Sequence, residues 1–214
     1  MTKAEPARDC GLCGRLADFR AANNANNPDW FNAPVPSFGP EDARLLIIGL
    51  APGLKGANKT GRPFTGDYAG DLLYATLLKY GFARGNYDGR ADDGLALNDC
   101  MITNAVRCVP PQNKPTGPEI ATCGPYLAAQ IASLPKLRIL LALGRIAHDS
   151  TLSAFGLRKA SYRFGHGAAH SLNEQGLILI DSYHCSRYNT NTRRLTTAMF
   201  EAVFDDIARH LAAL

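Results

Sequence analysis

The sequence contains no apolar run long enough to cross a membrane; its longest, residues 137–143, has the length of a buried strand. The first nine residues are polar, so we expect no secretory signal peptide. Internal repeats and low-complexity tracts are absent as well. These absences exclude a membrane-spanning or fibrous protein and predict a cytoplasmic protein that needs no membrane partner.

Neither the charge nor the glycine spacing selects a ligand by itself. The formal net charge of +4 permits an anionic partner without requiring one. The glycine-rich stretch after residue 48 lacks both G-x-G-x-x-G and G-x4-G-K-[ST] spacing, which makes a nucleotide-binding enzyme a weak alternative. With 214 residues and 46% hydrophobic content, the chain suits one compact domain over residues 1–214, and we expect a monomer.

Short apolar segments alternate with helical patterns along the chain. Strands are predicted at about 44–50, 99–104, 137–143 and 176–182, each apolar on both faces. Helices are predicted at about 11–22, 68–80, 117–133, 144–155 and 192–212, with an irregular Asn- and Pro-rich segment at 23–40. This alternation predicts an α/β fold, a three-layer α/β/α sandwich with a central four-stranded parallel sheet.

The most informative stretch is residues 46–70. It begins as an apolar strand and then breaks into a loop containing five glycines, before a helical pattern resumes. Binding sites in open α/β sheets form where strands end and helices begin. The loop also carries an aromatic ring, Phe64, and a carboxylate, Asp67. We therefore expect this loop to bind a flat ligand.

Six cysteines in a chain predicted to be cytoplasmic favour metal or redox chemistry over disulfides. Cys10 and Cys13 form a C-x2-C pair, and Cys108 and Cys123 form a C-x14-C pair. Four thiolates suit tetrahedral zinc or a [4Fe–4S] cluster, although the spacing fits neither a compact zinc finger nor a bacterial ferredoxin. The alternative is four unrelated core thiols, as we expect for Cys100 and Cys185.

Five motifs occur in one order along the chain: Gly49–Gly53, Gly61–Gly70, Asn104 with Cys108, Asn113–Pro115 and Asp181–Thr192. Together they resemble the uracil-DNA glycosylases, most closely family 5, whose relative family 4 shares the cluster cysteines. The resemblance runs from about Cys10 to Leu195. It implies a monofunctional DNA repair enzyme that removes uracil, and other deaminated bases such as hypoxanthine, from double-stranded DNA.

The resemblance further implies a structural 4Fe-4S cluster on Cys10, Cys13, Cys108 and Cys123, which ties an N-terminal segment to the rest of the chain. The site motifs give no indication of a lysine that would form a Schiff base, so a lyase step is not expected. Direct attack by water is expected instead. The alternative from another functional class is a non-catalytic iron–sulfur or zinc module that binds damaged or single-stranded nucleic acid. Such a module would need the same pocket but no working Asp67.

Base removal requires a flipped base to be held, its developing negative charge to be stabilised, and water to be supplied. The resemblance assigns stacking to Phe64, recognition of the uracil edge to Asn104, and hydrogen bonding to the departing base to His184. Each has a structural alternative: a core aromatic, a turn residue and a satisfied histidine. The other histidines, which match no motif, are expected to be structural.

Asp67 is assigned to the attacking water, and its alternative role is to cap the helix predicted to begin at residue 68. Ala51 and Gly53 are expected beside the pocket, with their backbone N–H groups available to a base or phosphate oxygen. Tyr68 either lines the pocket or packs on the helix.

A basic segment follows His184 and is predicted to contact DNA. Its candidate residues are Arg187, Tyr188, Asn189, Arg193 and Arg194, with Tyr188 as a wedge for the gap left by the flipped base. Lys55, Lys59 and Arg62 would add charge from the glycine loop. Any one of these residues taken alone is most often an ordinary surface side chain.

Two positions depart from the related patterns. Leu50 stands where family 4 has a glutamate, so the polar catalytic group has to come from elsewhere, and Asp67 is the nearby carboxylate that fits. Cys185 stands where many relatives have proline, and the loss of a fixed φ angle predicts a looser loop.

Overall fold

The computed structural model describes residues 4–173 and 176–213 and contains a five-stranded sheet between two helical layers. The strands are β1 (Leu45–Gly49), β2 (Ala83–Arg84), β3 (Ala96–Leu97), β4 (Cys100–Asn104), β5 (Ile139–Leu143), β6 (Ala169–Ser171) and β7 (Ile178–Ser182). The main sheet has the order β4-β1-β5-β7-β6, and β2 pairs with β3 in a separate hairpin. The four central strands are parallel, as predicted, and β6 is antiparallel.

Seven α-helices surround this sheet in the described part of the chain. They are α1 (Gly14–Asn26), α2 (Ala57–Thr60), α3 (Tyr68–Lys79), α4 (Gly117–Ala132), α5 (Arg145–Ala154), α6 (Arg187–Asn191) and α7 (Thr197–Ala212). None of them is long and apolar enough to cross a membrane.

Alternation along β1 fills a core on each face of the sheet. Leu45 and Ile47 belong to the cluster that includes α3 and α7, whereas Leu46 and Ile48 belong to the cluster that includes α4 and α5. All four side chains are fully buried because helices cover both faces, the arrangement that makes parallel strands apolar throughout. The three-layer α/β/α architecture is therefore confirmed.

Local signals fix where the helices begin. Thr116 and Glu119 form a capping box at the start of α4, and Arg15 on α1 pairs with the Glu119 carboxylate at 2.7 Å. Asp67 caps α3 through a hydrogen bond from the Gly70 N–H. These caps place the start of α3 at the carboxyl edge of the sheet.

Three predictions of secondary structure were wrong in detail. The sheet has a fifth strand, β6, which was missed because its three residues are mostly exposed and show no apolar alternation. The last helix begins at Thr197, since Thr196 caps it, and the predicted start at 192 falls in the turn after α6. The first helix covers Gly14–Asn26 rather than 11–22, so part of the segment predicted to be irregular is helical.

Candidate active site

A pocket of about 380 Å³ opens at the carboxyl edge of the parallel sheet, beside the ends of β1, β4 and β7. All seven residues predicted to be catalytic or to bind the base line it: Ala51, Gly53, Phe64, Asp67, Tyr68, Asn104 and His184. They come from four separate parts of the sequence. The fold therefore gathers the predicted set in one place, as expected for ligand sites on α/β sheets.

Phe64 forms one wall of the pocket. Its ring stacks on the His184 ring with centroids 5.8 Å apart and planes inclined by 27°. Gly49, the last residue of β1, allows this approach, because a Cβ there would lie 2.6 Å from the Phe64 ring and would also clash with the Asn104 side chain. The glycine thus lets an aromatic plate and an amide meet over the end of the strand.

Asn104 ends β4 directly opposite Gly49 in the sheet register. The residue is only 3% exposed and lines the pocket, and its side-chain amide makes no hydrogen bond to any other described residue. The amide is available to the pocket that it lines, and its donor and acceptor suit the edge of a pyrimidine.

His184 follows β7 and is held as a neutral imidazole. Burial lowers its pKa to about 4, so at neutral pH the ring carries one N–H donor and no charge. Its buried Nδ1 has no hydrogen-bond partner among the described residues. A neutral donor that stacks on Phe64 can stabilise negative charge that develops on a bound base.

Asp67 performs its capping role and also faces the pocket. One carboxylate oxygen accepts a 3.2 Å hydrogen bond from the Gly70 N–H. The other lies against Gly56, where a Cβ would come within 2.6 Å of it. Burial raises the pKa of Asp67, and backbone hydrogen bonds from Gly70 and Ala69 oppose that rise. A carboxylate with a raised pKa is a better general base than an exposed one.

The loop after β1 completes the floor of the pocket and is tied to the chain beyond β4. Backbone hydrogen bonds of 2.9 and 3.0 Å run from Ala105 to Gly49 and from Val106 to Leu50. Ala51 packs against a cluster that contains Cys108 and Cys123. The pocket floor and the paired cysteines are therefore neighbours.

At the mouth of the pocket, Tyr68 is 38% exposed, and the Arg187 guanidinium lies 5.0 Å from the centroid of its ring. Tyr188 is 72% exposed, the most exposed large hydrophobic side chain among the described residues. Arg193 and Arg194 are also exposed, and Arg194 lies over the Tyr183 ring at 4.7 Å. Tyr68 and Arg187 line the pocket, and Tyr188, Arg193 and Arg194 follow in the same segment with their side chains exposed to solvent.

Asn189, predicted with this group, has a different environment. Its side-chain N–H donates a 2.8 Å hydrogen bond to the His184 carbonyl oxygen, so the amide fixes the loop that carries the histidine. Cys185, expected to loosen the same loop, is fully buried, and its thiol donates to the Ala69 carbonyl at 3.3 Å. The loop is thus held to α3 despite the missing proline.

Arg62 was wrongly expected to contribute charge for DNA binding. It is 5% exposed and forms a bidentate ion pair with Asp93, at 2.7 and 2.8 Å. Sequence position beside a glycine loop gave no sign of this, because its partner lies 31 residues away.

Comparison with known proteins decides the family. The sequence profile of the Uracil DNA glycosylase superfamily matches residues 36–208. The chain belongs to this superfamily. A type-5 uracil-DNA glycosylase of Thermus thermophilus is 44% identical over 211 residues, which cover 96% of this chain and 94% of the relative. A type-5 enzyme of Mycobacterium leprae is 42% identical over 216 residues, covering 96% and 92%.

A type-4 uracil-DNA glycosylase of Saccharolobus solfataricus is more distant, at 30% identity over 205 residues that cover 94% of this chain and 82% of the relative. The predicted resemblance is therefore confirmed. This member of the uracil DNA glycosylase superfamily is more similar in sequence to these type-5 enzymes than to the type-4 enzyme.

Several residues of the pocket in this superfamily member were missed from the sequence. Asn113 and Ser186 both line it. Asn113 belongs to a recognised motif, and its positive φ of 57° is an unusual backbone conformation for a residue other than glycine. Ser186 caps α6 by accepting from the Asn189 N–H. Asn113 could have been predicted to line the pocket, because it lies in a recognised motif. No sequence signal indicated that Ser186 does so.

The four cysteines predicted to bind a cofactor meet at one place beside this pocket. Cys10 and Cys13 precede α1, Cys108 follows β4, and Cys123 lies on α4; together they line a small cavity. All six cysteines are free thiols. The N-terminal segment is thereby brought against the part of the chain that holds the pocket floor.

Proposed function

We propose that this protein hydrolyses the N-glycosidic bond of uracil, and of other deaminated bases such as hypoxanthine, in double-stranded DNA and leaves an abasic site. The observation that carries the proposal is the convergence of Phe64, Asp67, Asn104 and His184 on one pocket at the carboxyl edge of the sheet. The type-5 relatives, named for this activity, support it over nearly the full chain.

The pocket can hold a flipped base through three contacts. The Phe64 ring offers an apolar face for stacking, and the free amide of Asn104 offers a donor and an acceptor to the base edge. His184 donates to the base as its bond to the sugar weakens and negative charge grows on it. Because the histidine is neutral, it stabilises that charge as a dipole in a buried site.

Asp67 would act on the water. The bond between C1′ and the base nitrogen breaks with its electron pair leaving on the base, and the sugar becomes oxocarbenium-like. The water oxygen bonds to C1′ while its proton passes to the Asp67 carboxylate. The raised pKa of Asp67 favours this transfer, and its negative charge faces the cationic sugar.

The exposed residues at the mouth would contact the duplex. Arg187, Arg193 and Arg194 can each bind a phosphate, and Tyr188 is exposed enough to enter the gap left by the flipped base. Asn189 acts indirectly, by positioning the His184 loop.

The cofactor proposed for the four cysteines is a structural 4Fe-4S cluster. Cys10, Cys13, Cys108 and Cys123 line one small cavity, and four thiolates suit either tetrahedral zinc or a [4Fe–4S] cluster. The resemblance to family 4, which shares these cysteines, favours the cluster. A cluster on these four residues would crosslink the N-terminal segment to the pocket floor.

Two buried arginines also fit a negatively charged cluster. Arg20 and Arg107 are 6% and 0% exposed, and each has a buried Nε without a hydrogen-bond partner in the described chain. The Arg107 backbone N–H donates to the Cys123 sulfur at 3.4 Å, and the Arg20 side chain donates to the Cys10 carbonyl. Arg107 also pairs with Glu5 at 3.0 Å, so only the Nε donors of the two arginines are left over. Two buried cations beside four thiols suit thiolates that carry metal.

The activity is tested on a labelled duplex with one uracil opposite guanine, incubated with the purified protein and then treated with alkali. We expect strand cleavage only after alkali, which identifies a glycosylase without lyase activity. An intact strand with retained binding would instead support a non-catalytic module. The proposed state is a monomer in the cytosol, where thiols stay reduced.

The cofactor is tested by colour and metal analysis of protein purified without oxygen. We expect a brown protein that contains iron, and a colourless, less stable Cys108→Ala variant. Cys100→Ala is the matched control, because Cys100 is also a buried thiol and lies on β4 outside the cysteine site. A colourless wild-type protein of full stability would contradict the cluster.

A further inference from the structure

Behind the Phe64 wall lies a group of buried and partly buried side chains that is not part of the pocket lining. Phe64 has a φ of 53°, a left-handed conformation that costs free energy in a residue with a side chain. Such a conformation persists only where the surrounding structure enforces it. The buried group supplies the contacts that can do so here.

Hydrogen bonds fix three consecutive residues around this position. The Tyr74 hydroxyl donates to the Pro63 carbonyl at 2.6 Å, and the Tyr87 hydroxyl donates to the Phe64 carbonyl at 3.2 Å. The Arg62 Nε donates to the Thr65 hydroxyl at 2.7 Å. The backbone on both sides of the Phe64 ring is therefore tied to side chains from α3 and from the loop between β2 and β3.

Arg62 connects these contacts. Its guanidinium pairs with Asp93, whose side chain is fully buried, and it lies 5.3–5.8 Å from the ring centroids of Phe38, Tyr74 and Tyr87. Tyr74 and Tyr87 also stack on each other at 4.5 Å. A planar cation surrounded by rings and held by a bidentate carboxylate has one favourable placement.

We infer that Arg62, Asp93, Tyr74 and Tyr87 form a clamp that positions Phe64 for a flipped base. The clamp holds the Phe64 backbone in its left-handed conformation, so that the ring stays stacked on His184 and parallel to an incoming base. Phe64 is then already ordered before DNA binds. Binding of the flipped base is favoured because no conformational entropy is lost in ordering the ring at that step. These four are positioning residues, and this role rests on the proposed function.

The test is a double-mutant cycle with Tyr87→Phe, which removes one hydroxyl and keeps the ring. Excision of uracil is measured at single turnover in the wild type, Tyr87→Phe, Phe64→Ala and the double variant. We expect Tyr87→Phe to slow excision roughly tenfold in the wild type, and less than about twofold when Phe64 is already alanine. A similar loss in both backgrounds, or none in the wild type, would overturn the clamp.

Two controls separate positioning from folding. Tyr80→Phe removes a hydroxyl that bonds Glu201 and Asp205 on α7, away from the pocket, and should leave excision unchanged. If Tyr87→Phe does not fold, Tyr74→Phe tests the same clamp through Pro63. A structural effect alone would lower the melting temperature without a dependence on Phe64.

Binding of a duplex with a non-cleavable 2′-fluoro-deoxyuridine separates this inference from the proposed function. If the wild type binds this duplex but excises nothing from the ordinary uracil duplex, the proposed function fails, and weaker binding by Tyr87→Phe would still support the clamp. If the wild type neither binds nor excises, both proposals fall. Equal binding by the wild type and Tyr87→Phe would contradict the clamp.

Discussion

The loop that carries Phe64 and the segment that carries Tyr188 border the same pocket, and both contain arginine. In the first, Arg62 is buried, paired with Asp93 and enclosed by aromatic rings. In the second, Arg187, Arg193 and Arg194 face solvent, and Arg193 has a positive φ of 57° in the turn after α6. Arginine therefore has a structural role in the first region, where it supports the pocket wall, and presents its charge to solvent in the second.

The difference follows from what each region has to do. A wall that receives a base gains from being ordered in advance, since the cost of ordering is then absent when DNA binds. A surface that meets phosphates needs charge within reach of a flexible polymer, and exposed arginines supply it at little cost in stability. Substitutions in and around the two regions test this division, beginning with the largest expected effect.

Asp67→Asn should lower excision by about 10²- to 10⁴-fold, the range for loss of a general base. DNA binding and stability should change little, because asparagine caps helices about as well as aspartate. Single-turnover excision and a gel shift measure the two effects. Asp71→Asn, an exposed carboxylate in the first turn of the same helix, is the control. Unchanged excision by Asp67→Asn would leave Asp67 as a helix cap only.

Arg62→Gln should destabilise the protein by about 3–5 kcal/mol, because it leaves the Asp93 carboxylate buried without its cation. Arg193→Gln, on the exposed segment, should stay within about 0.5 kcal/mol of the wild type. Urea unfolding of the two variants compares the two regions directly. Equal stability of the variants would remove the distinction between a structural and a solvent-facing arginine.

The free energy of unfolding should also depend on pH through His148, which contacts Asp181 on β7, the strand before the exposed segment. His148 donates to the Asp181 carboxylate at 2.8 Å and to the Tyr162 carbonyl at 3.0 Å, and because both partners accept hydrogen bonds, the protonated ring is the form that can donate to both. Burial opposes this charge, but the hydrogen bond to Asp181 and the carboxylate's charge outweigh it and raise the pKa of His148.

A raised folded-state pKa gives stability that is complete below the unfolded value of about 6.5 and is lost as pH rises through the folded value. The free energy of unfolding should therefore fall on the alkaline side, and this part of the pH dependence should vanish in His148→Gln. Urea titrations across that range measure it. An identical pH profile in both proteins would show that His148 is not charged in the fold.

Replacing both Arg193 and Arg194 with alanine should have the smallest effect on stability of these variants and should reduce the salt dependence of DNA binding. The slope of log affinity against log salt should fall by about 0.9 for each phosphate that is no longer neutralised, with stability unchanged. Arg209→Ala, at the far end of α7 and paired with Asp206, is the control and should leave the slope intact. An unchanged slope in the double variant would move the DNA-binding surface elsewhere.

The sequence predicted the central fold well because its strands are branched, apolar and buried on both faces. Residues 44–50 and 99–104 match β1 and β4 to within a residue at each end. It also predicted the pocket residues, since the resemblance named them and strand ends bring them to one edge. Local pattern and motif were sufficient for these features.

What the sequence could not predict depends on partners far along the chain. The burial of Arg62 depends on Asp93, and the role of Asn189 depends on the backbone conformation of His184. The edge strand β6 is short, and its polar residues carry no strand periodicity. Each of these features is set by tertiary contacts, and no spacing of residue types indicates them.

The structure of Asp67→Asn bound to a duplex with uracil opposite guanine would test the proposed base pocket most directly. We expect an extrahelical uracil with its face on the Phe64 ring and its edge hydrogen-bonded to Asn104, with Phe64 still in its left-handed conformation. A uracil that remains stacked in the duplex, or a pocket that holds no base while the protein is bound, would contradict the proposed role of this pocket.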